Sequence, residues 1–256
     1  MTFGMLSVFA SSQGNFMNAA WFLIGALACD ILDGRIARLT KTTSEFGLQL
    51  DSLSDLVSFG VAPAYMVYNL VLNTMGKVGI AIAILFVLCT ALRLARFNVL
   101  AHSGEVHKHF VGLPTPASAG VILSFVLSYD LLGPEEYVLT FKTIPILMTM
   151  MPTFFKVMPI VVVVLSFLMV SNIPYMSFKK IKLSRVGTIQ LFSLLLVLVI
   201  LVIVYPQNIF FIIFSVYAVS GLLTYFPGLF WKRKQRIAAL KKAAENSPVI
   251  TENDIS

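Results

Sequence analysis

Charged residues are scarce in this sequence. Only 12% of its 256 residues are Asp, Glu, Lys or Arg, whereas 58% are hydrophobic and the mean hydropathy is +0.88. Soluble globular domains carry about twice that share of charge, so the composition predicts a polytopic membrane protein. Cysteine is also scarce. Cys29 and Cys89 stand alone in apolar runs without the spacing of disulfides or zinc sites, and we expect both to be packing residues.

The sequence also lacks a cleavable signal peptide, because no basic region precedes its first apolar run and no small-residue cleavage site follows it. Met1 to Ala10 would form about 15 Å of helix, against a hydrocarbon core of about 30 Å. We therefore expect an all-α bundle of about eight membrane segments whose first segment is incomplete. Residues 133–152 are interpreted as an interfacial excursion. The later segments are predicted at 16–39, 45–72, 77–101, 112–132, 153–171, 186–205 and 209–230.

Basic residues are distributed unevenly between the two sides that these segments define. Of the 19 Lys and Arg residues, all except Lys77, Lys142 and Lys156 fall on one side. The positive-inside rule makes that side cytoplasmic, and it explains the net charge of +7 without a nucleic-acid partner. We interpret residues 1–231 as one transmembrane domain and residues 232–256 as a basic, then polar, cytoplasmic tail.

Four aspartates interrupt two of the apolar segments, where an uncompensated carboxylate costs about 2.5 to 3.5 kcal/mol. Asp30 and Asp33 are three residues apart, and Asp51 and Asp55 are four apart, so each pair shares one face of a helix. Two facing helices would bring all four carboxylates together. Hard divalent cations such as Mg²⁺ prefer carboxylate oxygen, and two such ions would neutralise the cluster. The sequence therefore predicts a metal site at the cytoplasmic face.

The same stretch contains a longer pattern. Residues 30–55 read D-x-x-D-G, two residues, A-R, eight residues, G, three residues, D, three residues, D. This pattern resembles the signature of the CDP-alcohol phosphotransferases, with every fixed position filled. The resemblance implies a membrane enzyme that displaces CMP from a CDP-linked lipid with an alcohol. It also implies two divalent ions, Mg²⁺ or Mn²⁺, and a homodimer.

Individual roles follow from the same resemblance. The implied metal ligands are Asp30, Asp33, Asp51 and Asp55, and Asp55 is also the implied catalytic acceptor of the proton from the attacking hydroxyl.

The CDP moiety is expected at Gly34, Ala37, Arg38 and Gly47. At the three small residues a side chain would fill the space that a nucleotide needs, although close helix packing is the alternative. Arg38 lies about 12 Å along the helix from Asp30, within reach of the phosphates, but it would need no ligand as a topology marker.

The acceptor is indicated by other parts of the chain. Four further strings resemble the phosphatidylserine synthase branch of this family: residues 58–64 (SFGVAPA), 92–98 (LRLARFN), 112–116 (GLPTP) and 171–179 (SNIPYMSFK). The resemblance implies CDP-diacylglycerol and L-serine as substrates, with phosphatidylserine and CMP as products. Arg93 and Arg96 share a helix face and can pair with the serine carboxylate or the lipid phosphate. Asn98 can line the same pocket or cap the helix. The alternative is that both arginines only mark topology.

Other functions stay open at this point. The same chemistry with inositol phosphate or glycerol phosphate would call for a denser basic pocket. A divalent-cation transporter would also explain costly carboxylates, but no polar path continues from Ala62 towards Leu72. A structural scaffold predicts that Asp51→Asn is harmless. Compactness and resemblance favour a prokaryotic inner membrane, with the active site facing the cytoplasm.

Overall fold

The structure, a computed structural model, describes residues 1–40, 44–102, 110–130, 145–175 and 209–221, together with single positions at 192, 193, 196, 200 and 223. This part of the chain is α-helical apart from one short β pairing. The helices are α1 (Thr2–Ser12), α2 (Phe16–Thr40), α3 (Glu45–Asp55), α4 (Ala62–Leu70), α5 (Lys77–His102), α6 (Thr115–Asp130), α7 (Pro145–Val170) and α8 (Ile209–Gly221).

Helices α3 and α4 are joined by a π-helical segment, Leu56–Val61, so that one nearly continuous rod covers the predicted third segment. This rod begins at a capped end, because the backbone N–H of Gly47 donates to the Ser44 hydroxyl at 3.0 Å. A 3₁₀ turn at Leu72–Met75 ends it.

The predicted second and fourth segments coincide with α2 and α5 to within a residue. Helix α7 starts at Pro145 rather than at residue 153, so the second part of the predicted interfacial excursion is helical. The first part of that excursion, residues 133–144, lies outside the described residues, as do most of the predicted seventh segment and all of the tail.

Two long apolar helices of this bundle expose much of their surface in the described structure. Phe16–Ile36 and Lys77–Leu100 are long and apolar enough to cross a membrane, yet only 22% and 28% of their most apolar windows are buried. A core helix of a soluble protein would be mostly buried. On α5 the exposed side chains form a stripe at every fourth residue, namely Ile80, Ile84, Leu88 and Leu92. This is the surface expected of helices in lipid.

Small residues let the helices approach closely. Helix α1 packs along α2 and against the π-helical segment, where a Cβ at Gly4 would lie 2.7 Å from the Ser58 hydroxyl. Ala19, Ala20 and Ala62 are fully buried. Close approach of small residues is how helices associate where lipid removes the hydrophobic driving force. The resulting contacts fix α2, which carries Asp30, relative to the rod that carries Asp55.

A two-stranded pairing connects α6 and α7 at one end of the bundle. Strand β1 (Phe110–Val111) runs antiparallel to β2 (Pro174–Tyr175). Gly112 follows β1 with φ of +83°, and its N–H donates to the carbonyl of Ile173 at 2.9 Å. A Cβ there would meet the carbonyl oxygen of Met169. Only glycine satisfies both the backbone angle and the close approach.

We expect Gly112→Ala to destabilise the protein by more than the roughly 1 kcal/mol that a left-handed alanine costs by itself. The measurement is the thermal unfolding midpoint in detergent. Gly14→Ala is a matched control, because Gly14 also has positive φ (+74°) but has nothing within 4 Å of its Cβ position. Equal decreases in the unfolding midpoint for the two substitutions would show that the close approach to Met169 adds nothing to the loss of stability.

Candidate active site

Three of the predicted metal ligands come together between α2 and α3. Asp30, Asp51 and Asp55 each offer a carboxylate oxygen, and these oxygens all lie within 4.8 Å of one another. Asp33 lies one turn along α2 from Asp30 and lines the same cleft, although it is outside this group of three. The helical spacing that predicted two facing pairs therefore agrees with the observed geometry.

The cleft around these carboxylates has about 320 Å³ of space that protein atoms do not fill. Three carboxylates at such separations repel each other strongly when they are ionised. Their donor set is oxygen only, which is the set that Mg²⁺ and Mn²⁺ accept and that soft metals do not prefer. The residues present therefore fit a hard divalent cation. The side chains that complete the lining of the cleft are Met1, Phe3, Ala26, Cys29, Ser54, Ser58 and Phe59.

A π-helical segment begins directly after Asp55. π-Helical turns are rare and occur mostly at functional sites. Here the segment places the buried Ser58 and Phe59 at the floor of the cleft, and it packs Gly60 against α5, where a Cβ would lie 3.1 Å from Thr90 Cγ2. The irregular turn thus positions Asp55 and joins the rod to the helix that carries the predicted acceptor residues.

The predicted nucleotide contacts lie on the two helices that bear the aspartates. Gly34 is half-buried on α2, and Gly47 is exposed in the first turn of α3. Of the described atoms, only the Ser44 hydroxyl would lie within 4 Å of a Cβ at Gly47, at 3.1 Å, so no described helix packs against this glycine. Ala37 and Arg38 belong to α2, and their side chains fall outside the described part of the structure.

Arg93 points into the bundle. Its Nη1 donates to the Thr115 hydroxyl at 3.4 Å, while its buried Nε has no hydrogen-bond partner among the described residues. The guanidinium is close enough to Asp55 and to Tyr217 of α8 to interact with both electrostatically. A buried cationic donor without a partner is costly, and an anionic ligand would satisfy it.

Arg96 has a different environment. Its Nη1 donates to the carbonyl of Val170 at 3.2 Å and to Oδ1 of Asn172 at 3.1 Å. The side chain therefore binds the end of α7. The structure separates the two arginines that the sequence paired on one helix face, because one contacts α6 and the other contacts α7.

Asn98 is buried between α5 and α3. Its amide donates to the Ser52 hydroxyl at 2.9 Å and to Oε1 of Gln49 at 3.3 Å. Asn98 therefore links the helix of the arginines to the helix of Asp51 and Asp55. Its predicted contact with substrate stays a prediction.

The strings that suggested the acceptor converge in space although they are distant in sequence. Arg93 of the second string contacts Thr115 of the third, and Arg96 contacts Asn172 of the fourth. The first string begins within the π-helical turn and includes Gly60, which packs on Thr90, one turn before Arg93. Residues from four parts of the chain thus build one end of the bundle beside the aspartates.

Sequence reasoning did not single out Thr115 or Asn172 as partners of the arginines. Both lie inside the strings that carried the resemblance, so the signal was present, but the pairing required the fold. One expectation was wrong: Cys29 is exposed and lines the acidic cleft instead of packing in the core. Cys29 is exposed there because it lies four residues before Asp33, and residues at that spacing share one face of α2. Cys89 is buried as expected.

Fold and site together define a helical protein with two helices long and apolar enough to cross a membrane, and with an acidic cleft whose donor set is oxygen only. Comparison with known proteins places it more closely. The family model described as CDP-alcohol phosphatidyltransferase matches residues 1–151, and the chain belongs to this family.

The chain is also similar to three curated proteins. A CDP-diacylglycerol–serine O-phosphatidyltransferase of Helicobacter pylori is 36% identical over 220 residues, which is 86% of this chain and 84% of the relative. The protein of the same name from Methanocaldococcus jannaschii is 44% identical over 47% of this chain and 56% of its own length. An archaetidylserine synthase of Methanothermobacter thermautotrophicus is 42% identical over 49% of this chain and 53% of its own length.

Proposed function

We propose that this protein transfers the phosphatidyl group of CDP-diacylglycerol to L-serine, forming phosphatidylserine and CMP. Membership of the family and the printed names of the similar proteins support this reaction. Among the structural observations, the one that carries the choice of acceptor is Arg93. A partly buried guanidinium beside Asp55 and Thr115, whose Nε has no hydrogen-bond partner in the described part of the chain, is suited to the carboxylate of an amino-acid acceptor.

In the proposed reaction the serine hydroxyl oxygen attacks the phosphorus that is linked to diacylglycerol. A new P–O bond forms to serine, the P–O bond to the CMP phosphate breaks, and CMP leaves with the bonding electrons. The hydroxyl proton passes to a carboxylate oxygen of Asp55, which the π-helical turn holds at the cleft. Arg93 orients serine by its carboxylate, so that the hydroxyl is presented to the phosphorus.

Two divalent ions, Mg²⁺ or Mn²⁺, held by Asp30, Asp33, Asp51 and Asp55, would supply the positive charge that offsets the pyrophosphate. The protein contributes the carboxylates and holds them close together on two packed helices. Helices fix such side chains more precisely than a loop does.

The nucleotide is proposed to lie over Gly34, Ala37 and Gly47, with Arg38 on its phosphates. The open space beside Gly47 supports this, because close helix packing, the alternative explanation for a glycine, is not seen there. Arg96 and Asn98 complete the acceptor side of the proposed pocket.

We further propose an arrangement of about eight membrane segments, the first incomplete, for residues 1–231, followed by a cytoplasmic tail at 232–256. The uneven distribution of basic residues supports an active site on the cytoplasmic side, and prokaryotic relatives support an inner membrane location. A homodimer is proposed from the family resemblance.

The test is incorporation of radiolabelled L-serine into lipid by membranes that contain the protein, with CDP-diacylglycerol and Mg²⁺ or Mn²⁺. We expect serine-labelled lipid and stoichiometric CMP, both abolished by EDTA and restored by excess divalent ion. Product with inositol phosphate or glycerol phosphate but not with serine would contradict the proposed acceptor while preserving the metal site. Uptake of the ion into sealed vesicles without any lipid product would favour a transporter.

A further inference from the structure

The end of α7 is held by two residues, Arg96 and Asn172, and Asn172 has no role in the proposed function so far. Arg96 of α5 donates both to the last carbonyl of α7, that of Val170, and to the side chain of Asn172 in the loop that follows. We call this pair the Arg96–Asn172 clasp. A guanidinium at a helix C-terminus is favourable because it meets the negative end of the helix dipole and an unpaired carbonyl.

The clasped loop in turn holds the start of α6. The N–H of Leu113 donates to the carbonyl of Leu168 at 3.0 Å, and the N–H of Gly112 donates to the carbonyl of Ile173 at 2.9 Å. These two bonds lie on either side of Asn172 in sequence. Because Gly112 tolerates no side chain against Met169, the two segments are in direct backbone contact.

Thr115 lies two residues beyond Leu113 and accepts the hydrogen bond from Arg93. A continuous set of contacts therefore runs from Asn172 through the loop and β1 to Thr115, and from there to the guanidinium that faces the aspartates. Both arginines belong to α5, so this set of contacts begins and ends on the same helix.

We propose that Asn172 is a positioning residue for the acceptor: by clasping Arg96 it fixes the loop and Thr115, which hold Arg93 in the orientation that receives the acceptor carboxylate. This inference rests on the proposed function. It assigns Asn172 to serine binding alone, because none of its contacts reaches the cleft residues Asp30, Asp51 or Asp55.

The experiment measures KM for L-serine and for CDP-diacylglycerol separately in purified Asn172 variants. Asn172→Ala is expected to raise KM for serine about three- to tenfold, the range for net loss of one ordinary hydrogen bond, because Asn172 acts on Arg93 only through the loop and Thr115. KM for CDP-diacylglycerol and kcat at saturating serine should stay within about twofold of wild type. Asn172→Asp keeps an acceptor oxygen for Arg96, so it should restore KM for serine to within about twofold.

Ser171→Ala is the control in the same loop. The Ser171 hydroxyl donates to the carbonyl of Leu168 at 2.8 Å and accepts from the Ile173 N–H at 3.5 Å, so this change removes contacts within the loop but leaves the bond between Arg96 and Asn172. We expect it to leave KM for serine near wild type. A double variant, Arg96→Ala with Asn172→Ala, should be no worse than Arg96→Ala alone, since both remove one clasp.

The outcomes separate this inference from the proposed function. If wild-type protein forms serine-labelled lipid but Asn172→Ala has wild-type KM for serine, the positioning role is refuted and the reaction stands. Equal increases in both KM values, or an equal effect of Ser171→Ala, would also refute it. Absence of serine-labelled lipid from wild type would instead overturn the proposed function on which the inference rests.

Discussion

Asp55→Asn is expected to lower kcat by about a thousandfold, with little change in KM for serine. The carboxylate lies at the point where α3 becomes π-helical, within 4.8 Å of ligand oxygens on Asp30 and Asp51. Asparagine preserves its size but can neither accept a proton nor bring a negative charge to a cation. General-base catalysis alone is worth about a hundred- to ten-thousandfold. Initial rates of serine-labelled lipid formation give the measurement.

Two comparisons make this prediction sharper. Glu45→Gln removes a carboxylate from the exposed first turn of the same helix, outside the cluster, and should leave kcat near wild type. Asp51→Asn should lose activity that higher Mg²⁺ or Mn²⁺ concentrations partly restore, if Asp51 serves only as a ligand. Asp55→Asn should not be restored in this way. Full activity of Asp55→Asn would show that Asp55 takes no part in the reaction. Full restoration by added metal would show that Asp55 acts only as a metal ligand.

The acidic cleft was predictable from the sequence because its geometry is mostly local. Residues three or four apart on a helix share a face, so each pair of aspartates was fixed by spacing alone. The only tertiary requirement was that α2 and the next rod face each other, and a short connection between two antiparallel apolar segments makes that the default. The helix bounds of α2 and α5 were predictable for a similar reason, since long apolar runs bounded by polar residues leave little choice.

The acceptor side was less predictable because it depends on contacts between distant segments. Helical spacing put Arg93 and Arg96 on one face, but it could not show that one bonds to Thr115 and the other to Asn172. The need for glycine at position 112 was not predictable for the same reason, because it arises from the close carbonyl oxygen of Met169 on α7. The start of α7 at Pro145 was not predicted, because residues 133–152 mix polar and apolar side chains and include prolines, as irregular segments do. Proline is, however, tolerated in the first turn of a helix.

The π-helical turn was also beyond sequence reasoning. The irregular turn at Leu56–Val61 lies just before the proline at position 63. A proline lacks the N–H that would continue the regular hydrogen-bond ladder, so the preceding turn can widen. The widened turn begins immediately after Asp55, so it bears directly on where that carboxylate lies.

Arg93→Ala is expected to raise KM for L-serine about a hundredfold or more, while KM for CDP-diacylglycerol stays nearly constant. Truncating one partner of a desolvated charge pair costs about 2 to 5 kcal/mol of binding free energy. Arg93→Lys keeps the charge but loses the planar fork, so we expect an intermediate KM.

The thermal midpoint gives Arg93→Ala a second and independent readout. Among the described residues, Arg93 makes one long hydrogen bond, 3.4 Å to Thr115, and its buried Nε has no partner. Removing the guanidinium should therefore leave the unfolding midpoint in detergent unchanged or higher, even though serine binding is lost. Arg35→Ala, an exposed arginine on α2, is the control for a general loss of positive charge and should change neither KM. An increase in KM for CDP-diacylglycerol instead of serine would assign Arg93 to the lipid phosphate. A large fall in the midpoint with unchanged KM values would show that Arg93 supports the fold and does not bind serine.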